Sequence, residues 1–151
     1  MHLITEAGGL AFNPAKMLPK EGVFDFLIRC EFDEMFSRFL DEEFKCRFHR
    51  EDFRRLAVYL RAHIAQLLSG MGGETSPYLP LEGDIQITCL DGEAESQLEG
   101  YLSIVIMFNC GKKDESSSSA YFGFESVVDF LSVQNFCKQL DEFTAKRGQI
   151  Y

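Results

Sequence analysis

Tryptophan is missing from this chain, and histidine and proline are scarce: the 151 residues include 3 His and 4 Pro. The histidines, His2, His49 and His63, form no H-x-x-x-H or H-E-x-x-H pair, which excludes the usual zinc site on one helical face. The glycine motifs of serine-hydrolase nucleophiles and of phosphate-binding loops are missing as well. We therefore predict that the protein is not an enzyme and has no catalytic residues, no cofactor and no metal.

Paired cysteines are also missing, since the 5 Cys residues are an odd number and include no C-x-x-C pair. A disulfide framework or a zinc knuckle would need regular, paired spacing. Four of the five lie within apolar patterns: Cys30, Cys46, Cys89 and Cys137. We interpret these as reduced thiols that pack as small hydrophobic side chains. The open alternative is a reactive thiol at Cys110, which borders the polar segment 111–119.

Long apolar runs and an excess of positive charge are both lacking. The longest apolar stretches, such as residues 101–108, are far shorter than the roughly 20 residues of a membrane helix. The first residues do not match a secretory signal. The chain has 15 Lys and Arg residues but 24 Asp and Glu residues, and the resulting net charge of -9 repels polyphosphate and anionic lipid. These observations predict a cytoplasmic protein that binds neither nucleic acid nor a membrane.

What the chain does contain is the composition of an ordinary globular domain, with 46% hydrophobic and 26% charged residues. Among the aromatic residues, 15 Phe and 5 Tyr dominate. No linker separates two halves that could each close a core. We therefore predict one domain over residues 1–151.

Two kinds of hydrophobic period indicate the first strands and the main helix. A strand is predicted at Val23–Phe32, and Phe44, Cys46 and Phe48 alternate with charged residues as a second strand. From about residue 51 to 69 the period becomes three and four, which predicts a long helix. Its stripe comprises Phe53, Leu56, Ala57, Leu60, Ile64, Leu67 and Leu68. We expect this stripe to pack on the Phe44 face, with one ring nitrogen of the neighbouring His63 bonded to the chain.

The second half of the chain predicts a hairpin, a further strand and a second helix. Residues 84–90 and 98–109 are predicted to be strands that pair antiparallel across an acidic connector. Side chains of residues 120–125 alternate in a period of two, which predicts another strand. Ser132 is the expected N-cap of the last helix. The order of elements predicts an α+β fold with a single, largely antiparallel sheet of about five to six strands, packed with two amphipathic helices.

Carboxylates are concentrated in two places. Residues 91, 93, 95 and 99 match four spacings of a calcium loop, but Ser96 replaces its required Gly and Leu102 its bidentate Glu. We therefore interpret this stretch as an exposed hairpin tip, and the group at residues 41–43 as a solvated turn. The candidate partner-binding residues are Asp41, Glu42, Glu43, Asp91, Glu93, Glu95 and Glu99.

Five of the eight arginines fall within fifteen residues: Arg47, Arg50, Arg54, Arg55 and Arg61. Three of these, Arg50, Arg54 and Arg61, lie at spacings of four and seven along the predicted helix. There they could present hydrogen-bond donors to carboxylates or phosphates. The other interpretation is a solvated face with internal acidic partners, among them an i, i+4 pair of Glu51 with Arg55. The sequence leaves both open.

Two stretches resemble a family of small bacterial proteins. The first is FKCRFHREDFRRLAVYLRAHIAQLL, and the second is GDIQITCLDGEAESQLEGYLSIVIMFNC followed by YFGFESVVDFLSVQNFCKQLDEF. Their hydrophobic spacing, over roughly residues 22–146, resembles that of the immunity proteins that accompany toxins of the wall-associated-protein type. That family has no catalytic residues, so the resemblance implies a protein that binds a toxin domain.

We therefore expect a non-enzymatic binding protein whose partner is another protein, with a toxin domain as the form that the resemblance implies. An acidic protein suits a basic partner, because opposite net charges accelerate association. The alternative is a small-molecule binder or enzyme with a Phe-lined pocket between the sheet and the long helix. The oligomeric state stays open.

Overall fold

The computed structural model describes residues 1–18, 22–38, 43–111 and 119–146, which form seven strands and three helices. In chain order these are β1 (His2–Thr5), β2 (Gly8–Leu18), β3 (Val23–Phe32), α1 (Glu34–Ser37), β4 (Glu43–His49), α2 (Arg50–Leu68), β5 (Ile85–Ala94), β6 (Gly100–Asn109), β7 (Tyr121–Asp129) and α3 (Phe130–Lys146). The predicted α+β class is confirmed.

The strands form two antiparallel sheets, in the orders β1-β2-β3-β4 and β5-β6-β7. The prediction of a single sheet of five to six strands is therefore wrong. Part of the difference is β1 and β2, where Gly8, Gly9 and Pro14 interrupt the alternation by which strands are recognised. Pro14 stands next to an irregularity in the register between β2 and β3, which is where a sheet tolerates proline.

Hydrogen bonds link the two sheets at two places. After β1, the amide of Glu6 donates to the carbonyl oxygen of Val127 in β7 at 2.9 Å. At the other end, the amide of Arg47 in β4 donates to a carboxylate oxygen of Asp84 at 2.7 Å. The acceptor is a side chain and not the main chain of a neighbouring strand. The hydrogen-bond ladder of the first sheet therefore does not continue from β4 to β5.

The predicted apolar stripe of the long helix α2 is confirmed, since its residues from Phe53 to Leu67 are buried. The ring of Phe53 stacks on Phe48 of β4 with centroids 4.9 Å apart, so the predicted contact between helix and strand exists. Phe44 lies at the end of this face and stacks on Phe108 of β6 at 4.0 Å. The predicted strand face therefore contacts both the helix and the second sheet.

The last helix starts two residues earlier than its predicted cap. Asp129 accepts the backbone N–H of Ser132 at 2.6 Å, so a carboxylate at the end of β7 satisfies a free amide of the first turn. The prediction of Ser132 as the N-cap is wrong, because Ser132 lies within α3. Val133, Phe136, Cys137 and Leu140 of α3 are buried, and Phe136 packs on Phe12 of β2 at 5.1 Å.

Helix α3 contacts both β1 and α2 through polar side chains. The amide of His2 donates to a side-chain oxygen of Gln139 at 2.8 Å, and Arg61 of α2 forms an ion pair with Asp141 at 2.7 Å. One hydrophobic cluster includes residues of both sheets and of α2 and α3. The single domain over residues 1–151 stays a prediction.

None of the helices formed by the described residues has the length and hydrophobicity that a membrane span requires.

Cysteine labelling checks the predicted state of the thiols. Cys30, Cys46, Cys89 and Cys137 are buried, whereas Cys110 is exposed. Burial raises the pKa of Cys30 and of Cys89 to about 12, and that of Cys137 to about 11. We expect an alkylating reagent to modify Cys110 first in the native protein, because the thiolate is the reactive form. Mass spectrometry after denaturation without reductant should then count five labels, and a smaller count would show disulfides.

Candidate protein-binding surface

The tip of the β5–β6 hairpin is held by its own backbone and by one serine. The amide of Glu95 donates to the carbonyl oxygen of Glu99 at 2.9 Å, and Ser96 Oγ accepts the amides of Leu98 and Glu99 at 3.3 and 3.1 Å. Strand β5 extends to Ala94, so two of the predicted acidic residues belong to the strand and two to the turn. These bonds give the acidic side chains a defined backbone.

Close contact between the two strands of the hairpin requires glycine at position 92. A Cβ atom there would lie 2.0 Å from the carbonyl oxygen of Tyr101, which no side chain can accept without movement of the backbone. The register of β5 against β6 shifts between Cys89 and Gly92. This shift places Glu93 directly opposite Tyr101.

The four predicted carboxylates of the hairpin, Asp91, Glu93, Glu95 and Glu99, are all exposed. Within the described ranges none of them lies in an ion pair with a basic residue. Asp91 accepts a hydrogen bond from the amide of Gly92 at 2.9 Å. That donor is neutral, so the negative charge of Asp91 is not compensated. The hairpin therefore presents a negative surface that attracts cationic side chains.

An exposed tyrosine lies among these carboxylates. Tyr101 faces Glu93 on one neighbouring strand and Asp129 on the other, and it is 41% exposed. The negative charge of Glu93 is the main cause of the raised pKa of Tyr101. Aromatic residues with a polar end are enriched in protein interfaces, where they supply contact area at low entropic cost. We call Glu93, Tyr101 and Asp129 the acidic row.

Sequence reasoning identified Glu93 but missed the other two members of the acidic row. Tyr101 is recognisable only when the register of the hairpin is known, because the bulge changes which residues face each other. Asp129 lies four residues beyond the predicted end of its strand, at the junction with α3.

The second predicted acidic group is not part of this surface. Asp41 and Glu42 lie outside the described residues. Glu43 is exposed on β4, an edge strand of the other sheet, and its register partner is Arg29 of β3. The structure therefore does not bring Glu43 together with the hairpin carboxylates.

Most of the clustered arginines have acidic partners within the protein. Arg47 binds both carboxylate oxygens of Asp25 at 2.7 and 3.1 Å. The ion pairs of the others are Arg54 with Glu51 at 3.2 Å, Arg55 with Asp52 at 3.4 Å, and Arg61 with Asp141 at 2.7 Å. Glu51 thus pairs three residues along the helix, not four as expected. These contacts favour the interpretation with internal partners over an anion-binding face.

His63 is buried and makes the single predicted bond to the chain. Its Nε2 lies 2.7 Å from the carbonyl oxygen of Leu90, and its Nδ1 has no partner among the described residues. A carbonyl oxygen only accepts, so Nε2 of His63 carries a hydrogen and donates it. His63 lies at the side of a groove of about 760 Å³ between α2 and residues 74–79.

Phenylalanine rings fill the space between the first sheet and the long helix. Phe53 lies 4.9 to 6.4 Å, centroid to centroid, from four other rings: Phe24, Phe26, Phe48 and Phe143. Such distances are those of a packed core. A Phe-lined depression of about 450 Å³ lies elsewhere, beside β7, and includes Phe32, Phe36, Phe122 and Phe124.

Within the described ranges, no three His, Cys, Asp or Glu side chains are grouped closely enough to hold a metal ion. Comparison with known proteins assigns no family: no protein-family model matches the chain, and a search of the curated proteins finds no significant match.

Proposed function

We propose that the protein is a non-enzymatic binding protein that recognises a basic protein through the β5–β6 hairpin. The observation that carries this proposal is the acidic row, in which exposed Tyr101 lies between Glu93 and Asp129. An aromatic anchor surrounded by carboxylates offers a partner both apolar contact area and an attractive field. Leu98, which is 56% exposed at the tip, extends the apolar part.

The charge of the whole chain supports the same partner chemistry. The net charge of -9 attracts a basic protein over about one Debye length, and the exposed hairpin concentrates that charge at one place. A toxin domain is the specific partner that the resemblance to immunity proteins implies, and the cytoplasm is where such a protein acts. Both are parts of the proposal.

The alternative function, binding of a small molecule with or without catalysis, has one observation in its favour. The depression beside β7 is lined by phenylalanines and has a volume within the range of ligand sites. It differs from the expected pocket because it lies at a sheet edge, away from α2.

Charge reversal on the hairpin tests the proposed function. The variant Glu93→Lys with Glu95→Lys should slow association with a basic protein encoded beside this chain's own gene by about threefold to tenfold at low salt. The effect should shrink between about 0.01 M and about 0.15 M salt, because the Debye length falls from about 30 to about 8 Å. Stopped-flow measurement of the association rate at both salt concentrations provides the numbers.

A matched control separates the position of the charges from their number. Glu74→Lys with Glu142→Lys changes the net charge by the same amount at two exposed residues outside the hairpin. It should slow association much less. Equal effects of the two double variants, or rates that neither salt nor charge reversal alters, would contradict the proposal.

A further inference from the structure

Strand β7 has a stretch of edge that no described residue covers. The carbonyl oxygen of Val127 accepts the amide of Glu6, so the main-chain groups of Val127 point away from β6. Main-chain groups alternate along an antiparallel strand, so those of Glu125 point the same way. Among the described residues none forms a backbone hydrogen bond with Glu125 on that side. Open N–H and C=O groups of this kind pair readily with another extended chain.

The open edge runs along the Phe-lined depression. Phe122 faces Phe108 and Phe124 faces Ile106 in the register, so both belong to the inner face of the second sheet. Phe122 is nevertheless 51% exposed, because none of the described strands lies beyond β7 in this sheet. The opposite wall contains Phe36 of α1, which is 43% exposed, and Phe32, whose ring packs on Phe124 at 4.7 Å. One side of the open edge is therefore apolar.

The other side of the edge is acidic. Glu125 faces Val105 on the outer face of the sheet, and Glu6 lines the same depression. Both side chains are exposed, and no Lys or Arg is among the described residues that line it. An extended chain seated here would place alternate side chains against phenylalanine and against carboxylate.

We propose that the open edge of β7 binds one extended segment of a partner protein, in which apolar residues alternate with Lys or Arg. The segment adds a strand to the sheet β5-β6-β7: its backbone bonds to Glu125, its apolar side chains enter the phenylalanine groove, and its basic side chains meet Glu6 and Glu125. This inference rests on the proposed function, since it assigns a second contact to the same basic partner.

Charge argues against a second copy of this chain as the occupant. Two β7 edges paired about a two-fold axis would bring Glu125 of both copies onto the same ladder, in addition to a net charge of -9 on each. Like charges on neighbouring strands destabilise the pairing. A basic strand has the opposite effect with the same backbone bonds.

Synthetic peptides test the assignment directly with the full chain. The probe is an acetylated and amidated peptide of about seven residues, lysine alternating with valine, which is long enough to span the open edge. We expect saturable binding, with slower hydrogen exchange of the Glu125 amide. Replacement of lysine by glutamate in the peptide should abolish binding. Methylation of the peptide nitrogens on one alternate set of residues should abolish it as well, whereas methylation of the other set should be tolerated.

Variants of the chain complete the test. Glu6→Lys with Glu125→Lys should weaken peptide binding by about threefold to tenfold, while Glu74→Lys with Glu142→Lys should leave it nearly unchanged. The proposal is overturned if both methylated peptides bind like the parent, if the glutamate peptide binds equally well, or if protection occurs away from β7. Concentration-dependent dimerisation of the chain alone that protects Glu125 would also overturn it, in favour of a second copy.

The two proposals fail in different ways. If the peptide test rejects the β7 edge but the hairpin variants still associate slowly with the partner, the proposed function stands. The second contact would then lie elsewhere. Hairpin variants without effect, together with protection of Glu125 by the lysine peptide, would instead remove the acidic row as the recognition surface.

Discussion

Replacement of Phe53 by alanine is expected to lower the free energy of unfolding by about 3–5 kcal/mol. Phe53 is 1% exposed, and its ring contacts phenylalanines from β3, β4 and α3. Removal of the ring leaves a cavity that these neighbours fill only in part, which adds to the lost transfer free energy. Urea denaturation followed by circular dichroism measures the change.

Phe36→Ala provides the matched control for Phe53→Ala. It removes the same ring from an exposed position on α1, and we expect a cost of about 0.5 kcal/mol or less. If Phe53→Ala were no more costly than Phe36→Ala, the assignment of the core between α2 and the first sheet would be wrong.

Replacement of Asp25 by asparagine is expected to cost about 1–3 kcal/mol at neutral pH. The Asp25 side chain is 3% exposed, accepts two hydrogen bonds from Arg47 and lies 3.5 Å from the Lys45 ammonium. Because the Arg47 side chain is 42% exposed, the pair is partly screened and we expect less than a fully buried pair would give. Asn keeps the shape of the side chain but loses its charge.

The effect of Asp25→Asn should depend on pH in a defined direction. The hydrogen bonds from Arg47 hold the pKa of the Asp25 carboxyl below its ordinary value. The stabilisation is therefore fully present above about pH 4, the ordinary value, and is lost as the pH falls through the lower value in the folded protein. Denaturation of both proteins between neutral and acidic pH should show their stabilities converge, with exposed Asp33→Asn as the control. A constant difference would contradict the role of the ionised pair.

The elements that the sequence predicts well are those whose period is uninterrupted. Strand β3 has the predicted bounds Val23–Phe32, and α2 begins and ends within one residue of its predicted limits. Strand β2 escaped prediction because glycine and proline break its pattern, although it buries Leu10 and Phe12 through pairing on both sides. Tertiary pairing, which no local pattern contains, decides such segments.

The division into two sheets has a similar cause. Local periods indicate that β4 and β5 are strands but contain no information on whether they pair with each other. The carboxylate of Asp84 accepts the amide of Arg47 where a main-chain carbonyl would continue the ladder. The exposed hairpin carboxylates, Glu93 among them, were predictable from the sequence, whereas Tyr101 and Asp129 became part of the candidate surface only through the register.

The contacts of β1 with the end of the chain affect the order in which the protein can fold during synthesis. Strand β1 is made first, but the groups that cover its end, Val127 of β7 and Gln139 of α3, are made more than a hundred residues later. Until then the first sheet lacks α3, and Phe12 lacks the ring of Phe136. In nascent chains that stop before β7, helix α2 can cover its part of the first sheet, but the part that α3 covers stays exposed. Such a chain also has a free sheet edge, and intermediates of this kind aggregate or need a chaperone.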